Sequence, residues 1–594
     1  MEQFLHIIKV CNDAVNGVVW GWPALILLAF VGILMTALTK VFQLTHIGHW
    51  LRNTLGAIFK DKHITGHTKD RSISQFQSLC TALAATVGTG NIVGVSGAII
   101  VGGPGAVFWM WLIAFFGMMT NFSENVLGIY YRRKNSKDEW SGGAMYYLRD
   151  GLGAKKGCKG IGAVLAVLFS CFCLLASFGI GNMTQVNSIS GNMNTVFGIP
   201  TWVTGIVILI LVGLVVVGGL KRIAAVTEKI VPFMVIIYMI GTIVIFFLNI
   251  SQVGSVFSAI FKGAFALKAA GGGVVGYGIK LAIEQGMKRG VFSNEAGLGS
   301  SVMVHSNSNV VEPVRQGMWG IFEVFADTII VCTLTAFAVL SSGLVNLDQG
   351  DSALYLDSSS NTAYYEVVYD SDVSWLSSCT GEDGTALDFS SDGNATYVTL
   401  GGNGESQAAQ LVAVTYTNSE GESVTEFRNL ASGEYSADYN DGRMTKLTKA
   451  NMVSTVFSLH FGKVGAAFIA IAIMLFAFST VLGWSHYGSK ACEYLVGEKA
   501  TIVYKVIFVL LVFGGATMGD NLAWDLADTF NGLMMIPNLI GVIVLSGTVM
   551  KITSNYVQRN IKGDKSVEPM LSAFPDIQAE HAAKLAANNG EDTE

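Results

Sequence analysis

Long apolar runs separated by short polar connectors fill the first 345 residues, and the same alternation resumes after residue 450. A helix needs about 20 predominantly apolar residues to cross a bilayer core. Runs of that kind at about 17–41, 77–101, 105–131, 160–187, 201–218, 228–249, 277–305, 316–343, 456–486, 502–518 and 525–550 predict eleven transmembrane helices. The seventh carries Lys280, Glu284, Lys288 and Arg289, largely on one helical face. A helix lining a watery vestibule has that pattern; an interfacial helix before a short span is the alternative.

Residues 346–450 lose the pattern. They hold seventeen acidic and four basic residues, and short pieces such as "ATYVTL" and "LVAVTYT" alternate as strands do. They predict a small β-rich insert between the eighth and ninth spans, with a disordered loop as the alternative. The polar tail beyond Gly563 is expected to be mobile. The chain then divides into 1–76 (N-terminal segment, accessory span and loop), 77–249 (first five-helix repeat), 250–345 (start of the second repeat), 346–450 (insert), 451–550 (remainder of the second repeat) and 551–594 (tail).

Composition agrees with an all-α polytopic membrane protein. Only 13% of residues are charged, against about 25% in soluble proteins. With Gly 68 against Pro 8, helices can pack closely through small residues. One set of connectors with the tail holds 24 Lys and Arg, and the other side holds 7. The positive-inside rule makes the first set cytoplasmic, so the N-terminus and the insert are outside and the C-terminus inside. The cysteines have neither a disulfide-framework nor a zinc-type spacing, and no signal peptide is expected.

The stretch "GTGNIVGV", residues 88–95, interrupts the second span. Gly88, Gly90 and Gly94 each weaken a helix by roughly 1 kcal/mol relative to Ala. Irregular backbone at membrane depth survives only where protein or a water cavity surrounds it. Unwinding at Gly88–Gly90 frees amides that suit a carboxylate, while carbonyls near Ala84 and Val87 face a cation. A packing face built on Gly90 and Gly94 is the competing reading; a P-loop is excluded by the missing GK[ST]. "RGVFSNEAGLGSS", residues 289–301, repeats the grammar in the seventh span. With the first span set aside as an accessory, the breaks fall in the first helices of two five-helix halves of opposite orientation, the arrangement of an inverted-repeat transporter.

At these residues the sequence resembles the alanine or glycine:cation symporter family. The matching pieces are "GTGNIVGVSGAI", "GGPGAVFWMW", "NFSENVLGIYYR", "RGVFSNEAGLGSS", "PVRQG", "DTIIVCT" and "STVLGW". The resemblance covers roughly residues 70–340 and 460–550, leaving 346–450 outside the usual family pattern. It implies a leucine-transporter-type fold of five-plus-five inverted repeats and sodium-coupled import of alanine, glycine and other small neutral amino acids.

Carried over residue by residue, the resemblance implies that the amides of Thr89, Gly90 and Asn91 hold the substrate carboxylate. Gln185, in "GIGNMTQVNS", is a pocket residue or an interhelical hydrogen bond. Phe292 and Ser293 face the substrate, with Asn294 close to the break. Thr480 and Trp484 share a helical face toward the pocket. Five oxygens, the hydroxyls of Ser479 and Thr480 and the carbonyls of Ala84, Val87 and Phe476, would hold one Na⁺. Glu124, Glu295 and Asp327 are intramembrane carboxylates, functional by default. Glu295 is either a structural partner for an amide or Arg289, or a proton-coupling group. The expected partners are a small neutral amino acid, sodium and the plasma-membrane lipid bilayer, with no nucleic acid and a functional monomer. A proton-coupled transporter and a transporter-like sensor are the rivals; no nucleophile–base set or metal cluster suggests an enzyme.

Overall fold

The structure is a computed structural model and describes residues 2–66, 68, 71–265, 274–347, 350–367, 374–390, 392–402, 411–518 and 521–591. The undescribed parts of the expected insert lie outside these residues. Among the described residues eight helices are long and apolar enough to cross a membrane, or nine when the bent pair Gln75–Thr86 and Thr89–Gly102 is one span. The other two segments of the eleven-span reading are also helical but fall short. Thr201–Val216 has only 16 residues, and Val274–Asn294 carries the charges noted above.

The bent helix lies at the centre, packed against Gly219–Leu248, Val274–Asn294 and Met452–Val496. Its start is fixed by a capping box in which Ser74 Oγ accepts from the Gln77 amide at 3.1 Å and the Gln77 side chain accepts from the Ser74 amide at 3.2 Å. Met452–Val496 turns at Gly462 (φ 59°), a left-handed conformation that favours glycine. Two helices widen to π-turns beside the centre, at Gly179–Met183 and Phe325–Cys332, a distortion common at functional sites.

The insert is a six-stranded antiparallel sheet: β1 (Tyr355–Asp357), β2 (Thr362–Glu366), β3 (Ala395–Gly402), β4 (Leu411–Thr417), β5 (Ser423–Asn429) and β6 (Met444–Lys446). The spatial order is β5-β4-β3-β2-β1-β6. Its two ends pack differently. Ala353, Leu356, Ala363, Tyr365 and Leu447 join the main hydrophobic core of the helices, whereas Leu400, Leu411, Val412 and Val414 belong to clusters made of the insert's own residues.

The tail departs from the expected mobility. Pro575–Glu591 is a helix, docked through buried Leu571 and His581. The Ala573 amide donates to Tyr130 O at 2.9 Å, and the Arg133 guanidinium sits 4.0 Å from the Phe574 ring centre. These few contacts anchor a segment whose composition is otherwise polar. His581 lies against Trp140 and Arg132, with Glu580, Lys584 and Lys134 nearby. Burial, then Arg132, push its imidazole from an ordinary 6.5 down to about 3. The docked form therefore binds fewer protons than the released form between those values, so docking is full above pH 6.5 and weakens as pH falls through that window. Limited proteolysis of the tail is expected to accelerate from pH 8 to pH 5.5. His581→Leu should lose that acceleration; an unchanged pH response in the variant would assign it elsewhere.

Candidate substrate and cation site

The first helix stops at Thr86, and the chain passes through Val87 (φ −79°, ψ 86°) and Gly88 (φ −129°, ψ −152°) before a short turn at Thr89–Asn91. The two half-helices are bent by 61°. The Gly88 amide, which in a continuous helix would bond Ala84 O, instead donates to Asn91 Oδ1 at 2.9 Å. That side-chain cap releases the Ala84 carbonyl. Among the described residues no acceptor is found for the amides of Thr89 and Gly90. One break thus presents free donors on one side and a free carbonyl on the other.

The second break follows Asn294. Glu295 takes a left-handed conformation (φ 56°), as do Gly297 (φ 95°) and Gly299 (φ 72°). Asn91 ties the breaks together: its Nδ2 donates to Ser293 Oγ at 2.9 Å and to Asp327 Oδ1 at 2.7 Å. Ser293 Oγ and Thr328 Oγ1 donate to Asp327 Oδ2 at 2.6 and 2.8 Å. Asn294 donates to Thr328 Oγ1 and caps the Ala296 amide, each at 3.0 Å. Three donated hydrogen bonds from neutral groups satisfy the buried Asp327 carboxylate without a basic partner.

A cavity of about 20 Å³ lies between the breaks, lined by Ala85, Thr86, Gly88, Gly90, Ile180, Gln185, Phe292, Glu295, Thr480, Trp484 and Asn531. Its size is that of about one water. Thr89 Oγ1 donates to Gln185 Oε1 at 3.0 Å, and Gln185 Nε2 donates to Ile180 O at 3.0 Å. Gln185 is therefore at once an interhelical link and a cavity wall. Gly181 lets the Trp484 ring lie against the backbone: a Cβ there would come within 2.3 Å of Trp484 Cβ. On the insert side, Gly90, Ile180 and Phe292 also line a vestibule of about 640 Å³. No residue of the cavity lines the 440 Å³ pocket on the opposite face.

Beside Gly88 lies the expected cation wall. Thr480 Oγ1 would be 2.5 Å from a Cβ on Gly88, and Gly483 allows the same helix to press on Ala85. Ser479 Oγ and Thr480 Oγ1 donate to Phe476 O at 2.8 and 3.0 Å. Their hydrogens are thereby turned away and their lone pairs left for a cation. With Ala84 O free, this uncharged oxygen set fits a hard monovalent ion.

Thr89, Gly90, Gln185, Phe292, Thr480 and Trp484 are brought together as the sequence suggests, and Ala84, Val87, Phe476 and Ser479 are buried beside them. Asn91, Ser293 and Asn294 are corrections. Their side chains line neither the cavity nor the vestibule, because Asp327 and Thr328 engage them, and the Asn91 amide is spent on Gly88 O at 3.3 Å. Glu295 is partnered by Ser300 and Trp484, not by Arg289. Two wall residues were missed: Thr86 and Asn531, whose Oγ1 and Oδ1 are buried without a partner. Neither sits in a motif. Only the fold brings Asn531, from the last span, to the site.

The sequence matches the model of the sodium:alanine symporter family over residues 5–365 and 423–570. The chain belongs to the sodium:alanine symporter family. The sodium/alanine symporter AgcS of Methanococcus maripaludis is 36% identical over 550 residues, 92% of this chain and 97% of that protein. The putative sodium/proton-dependent alanine carrier protein YrbD of Bacillus subtilis is 30% identical over 93% of each chain. The probable sodium/glutamine symporter GlnT of the same organism is 30% identical over 96% of this chain and 94% of that protein. This family member is a multi-pass membrane transporter and not an enzyme. The stretch 366–422, between the matched segments, contains β3 and β4 of the sheet.

Proposed function

We propose that this chain imports small neutral amino acids, alanine and glycine foremost, together with Na⁺ by alternating access across the plasma membrane. The carrying observation is the cavity between the two broken helices, with free amides at Thr89 and Gly90 and the uncharged hydroxyls of Ser479 and Thr480 beside it. The cavity as it stands holds about one water, so alternating access must widen it; the carboxylate then takes the amides, the ammonium takes the unpartnered oxygens of Thr86 and Asn531, and Trp484 with Ile180 limits the side chain. The positive-inside count supports a vestibule that opens outward, with N-terminus outside and C-terminus cytoplasmic. One chain houses the whole site, which supports a functional monomer.

A tenfold sodium gradient supplies about 1.4 kcal/mol and a potential of 100 mV about 2.3 kcal/mol more. With one Na⁺ per substrate the two together sustain accumulation of several hundred-fold. Radiolabelled alanine uptake into proteoliposomes tests the reading: accumulation is expected with an inward Na⁺ gradient and not with equal Na⁺ or with K⁺. Uptake driven by a pH gradient instead would move coupling to Glu295, the carboxylate on the cavity wall.

The self-packed part of the insert is expected to be dispensable. Replacing residues 367–422 by a short Gly-Ser linker should leave uptake within about twofold of the intact protein, since Ala353, Leu356, Ala363, Tyr365 and Leu447 still fill the main core. Loss of uptake by a correctly inserted deletion protein would give the sheet a part in transport.

A further inference from the structure

The vestibule above the cavity carries a charge pattern of its own. Gly90, Gly94 and Gly97 follow one another at spacings of four and three, so they share a strip of the outer half-helix. A side chain lies on each. Where a Cβ would stand, Gly90 meets Phe292 Cδ1 at 3.4 Å, Gly94 meets Arg289 Cδ at 3.8 Å and Gly97 meets Lys449 Cδ at 3.1 Å. Rising from the cavity, the strip therefore carries a ring, a guanidinium and an ammonium. The guanidinium sits 5.4 Å from the ring centre of Phe292.

Among the described residues neither Arg289 nor Lys449 has an ion pair within 4.0 Å, and Arg289 Nε is buried without a partner. Burial, then Arg289 and Lys288, hold the Lys449 ammonium below its ordinary value, as expected for cations crowded without a counter-charge. Asp525 and Asp528 line the same vestibule. Asp528 Oδ2 accepts from Lys288 Nζ at 2.6 Å, while its Oδ1 is buried without a partner. The walls thus offer unmet donors and an unmet acceptor together. An inorganic anion answers only the first and a sodium ion only the second. A zwitterionic amino acid answers both.

We propose that the vestibule is an outer binding site for the amino acid, its carboxylate on Arg289 and Lys449 and its ammonium toward Asp525 and Asp528. From there it passes Phe292 into the inner cavity. The proposal rests on the amino-acid reading of the inner site. The amino acid carries no net charge, so the hold comes from short charge-assisted contacts at its two ends, and the outer site acts on KM.

Lys449→Met keeps the stem on Gly97 and removes the charge. The KM for alanine in Na⁺-driven uptake should rise roughly tenfold, the effect of losing one charge-assisted contact, with Lys449→Arg restoring it. A wild-type KM in Lys449→Met overturns the outer site alone. No alanine uptake by the unmodified protein overturns the inner reading and the outer site with it.

Discussion

Gly90→Leu should abolish alanine binding while leaving the protein folded. Gly90 lines both the 20 Å³ cavity and the vestibule, so a leucine there projects into the space the substrate must occupy. A Cβ at this position stands in ordinary contact with Phe292, at 3.4 Å, and Gly90 is not in the left-handed region. The substitution therefore has no backbone strain to relieve and no buried atom to displace, unlike Gly181→Leu, which would drive into Trp484. Filling the site costs the whole of the binding free energy. Calorimetric titration of alanine in saturating Na⁺ should show affinity reduced by more than a hundredfold, roughly 3 kcal/mol or more. Gly90→Ala, adding one carbon in open contact, should retain measurable binding. Wild-type affinity in Gly90→Leu would mean that the substrate lies elsewhere.

The same glycines explain how much was readable in advance. A glycine inside an apolar span has no lipid-facing reason to be there, and two such clusters with adjacent Thr, Asn and Ser marked both breaks before any coordinates. Their chemistry was less legible than their place. Asn91, Ser293 and Asn294 are polar residues at a break, and sequence position does not say whether such a side chain turns to a ligand or to the opposite wall. Here Asp327 decides it: a carboxylate in a span without a basic partner needs neutral donors, and these residues supply or support them. Thr86 and Asn531 carry no pattern at all, since a single Thr at a helix end and a single Asn in a long apolar helix are ordinary. The tail was misread for a related reason. Its composition is polar, but Leu571, Phe574 and His581 suffice to dock it, and three contacts leave no periodic signal. The strands "ATYVTL" and "LVAVTYT" were readable because alternation is local, and they pair in the sheet with Val398 opposite Ala413.

Thr480→Val should shift the sodium dependence of substrate binding to higher Na⁺. The substitution preserves the branched shape and removes only the hydroxyl that donates to Phe476 O at 3.0 Å and turns its lone pairs toward the break at Gly88. Losing one oxygen of the proposed cation wall, which has no carboxylate to compensate, costs about 2 kcal/mol, roughly thirtyfold in sodium affinity. In the proposed site sodium and substrate share the broken helix at Ala84–Gly90, so their binding should be linked, and linkage is reciprocal. At sodium concentrations below the new half-saturation the variant should bind alanine correspondingly less, and the loss should be recovered by raising Na⁺. Ser479→Ala should behave alike, since its hydroxyl donates to the same carbonyl at 2.8 Å. Alanine binding measured against Na⁺ concentration separates the cases. A curve shifted to higher Na⁺ with an unchanged plateau places the ion at this wall. A lowered plateau with an unshifted curve would make Thr480 a substrate contact alone, and the coupling ion would have to be sought at the buried carboxylate of Glu295.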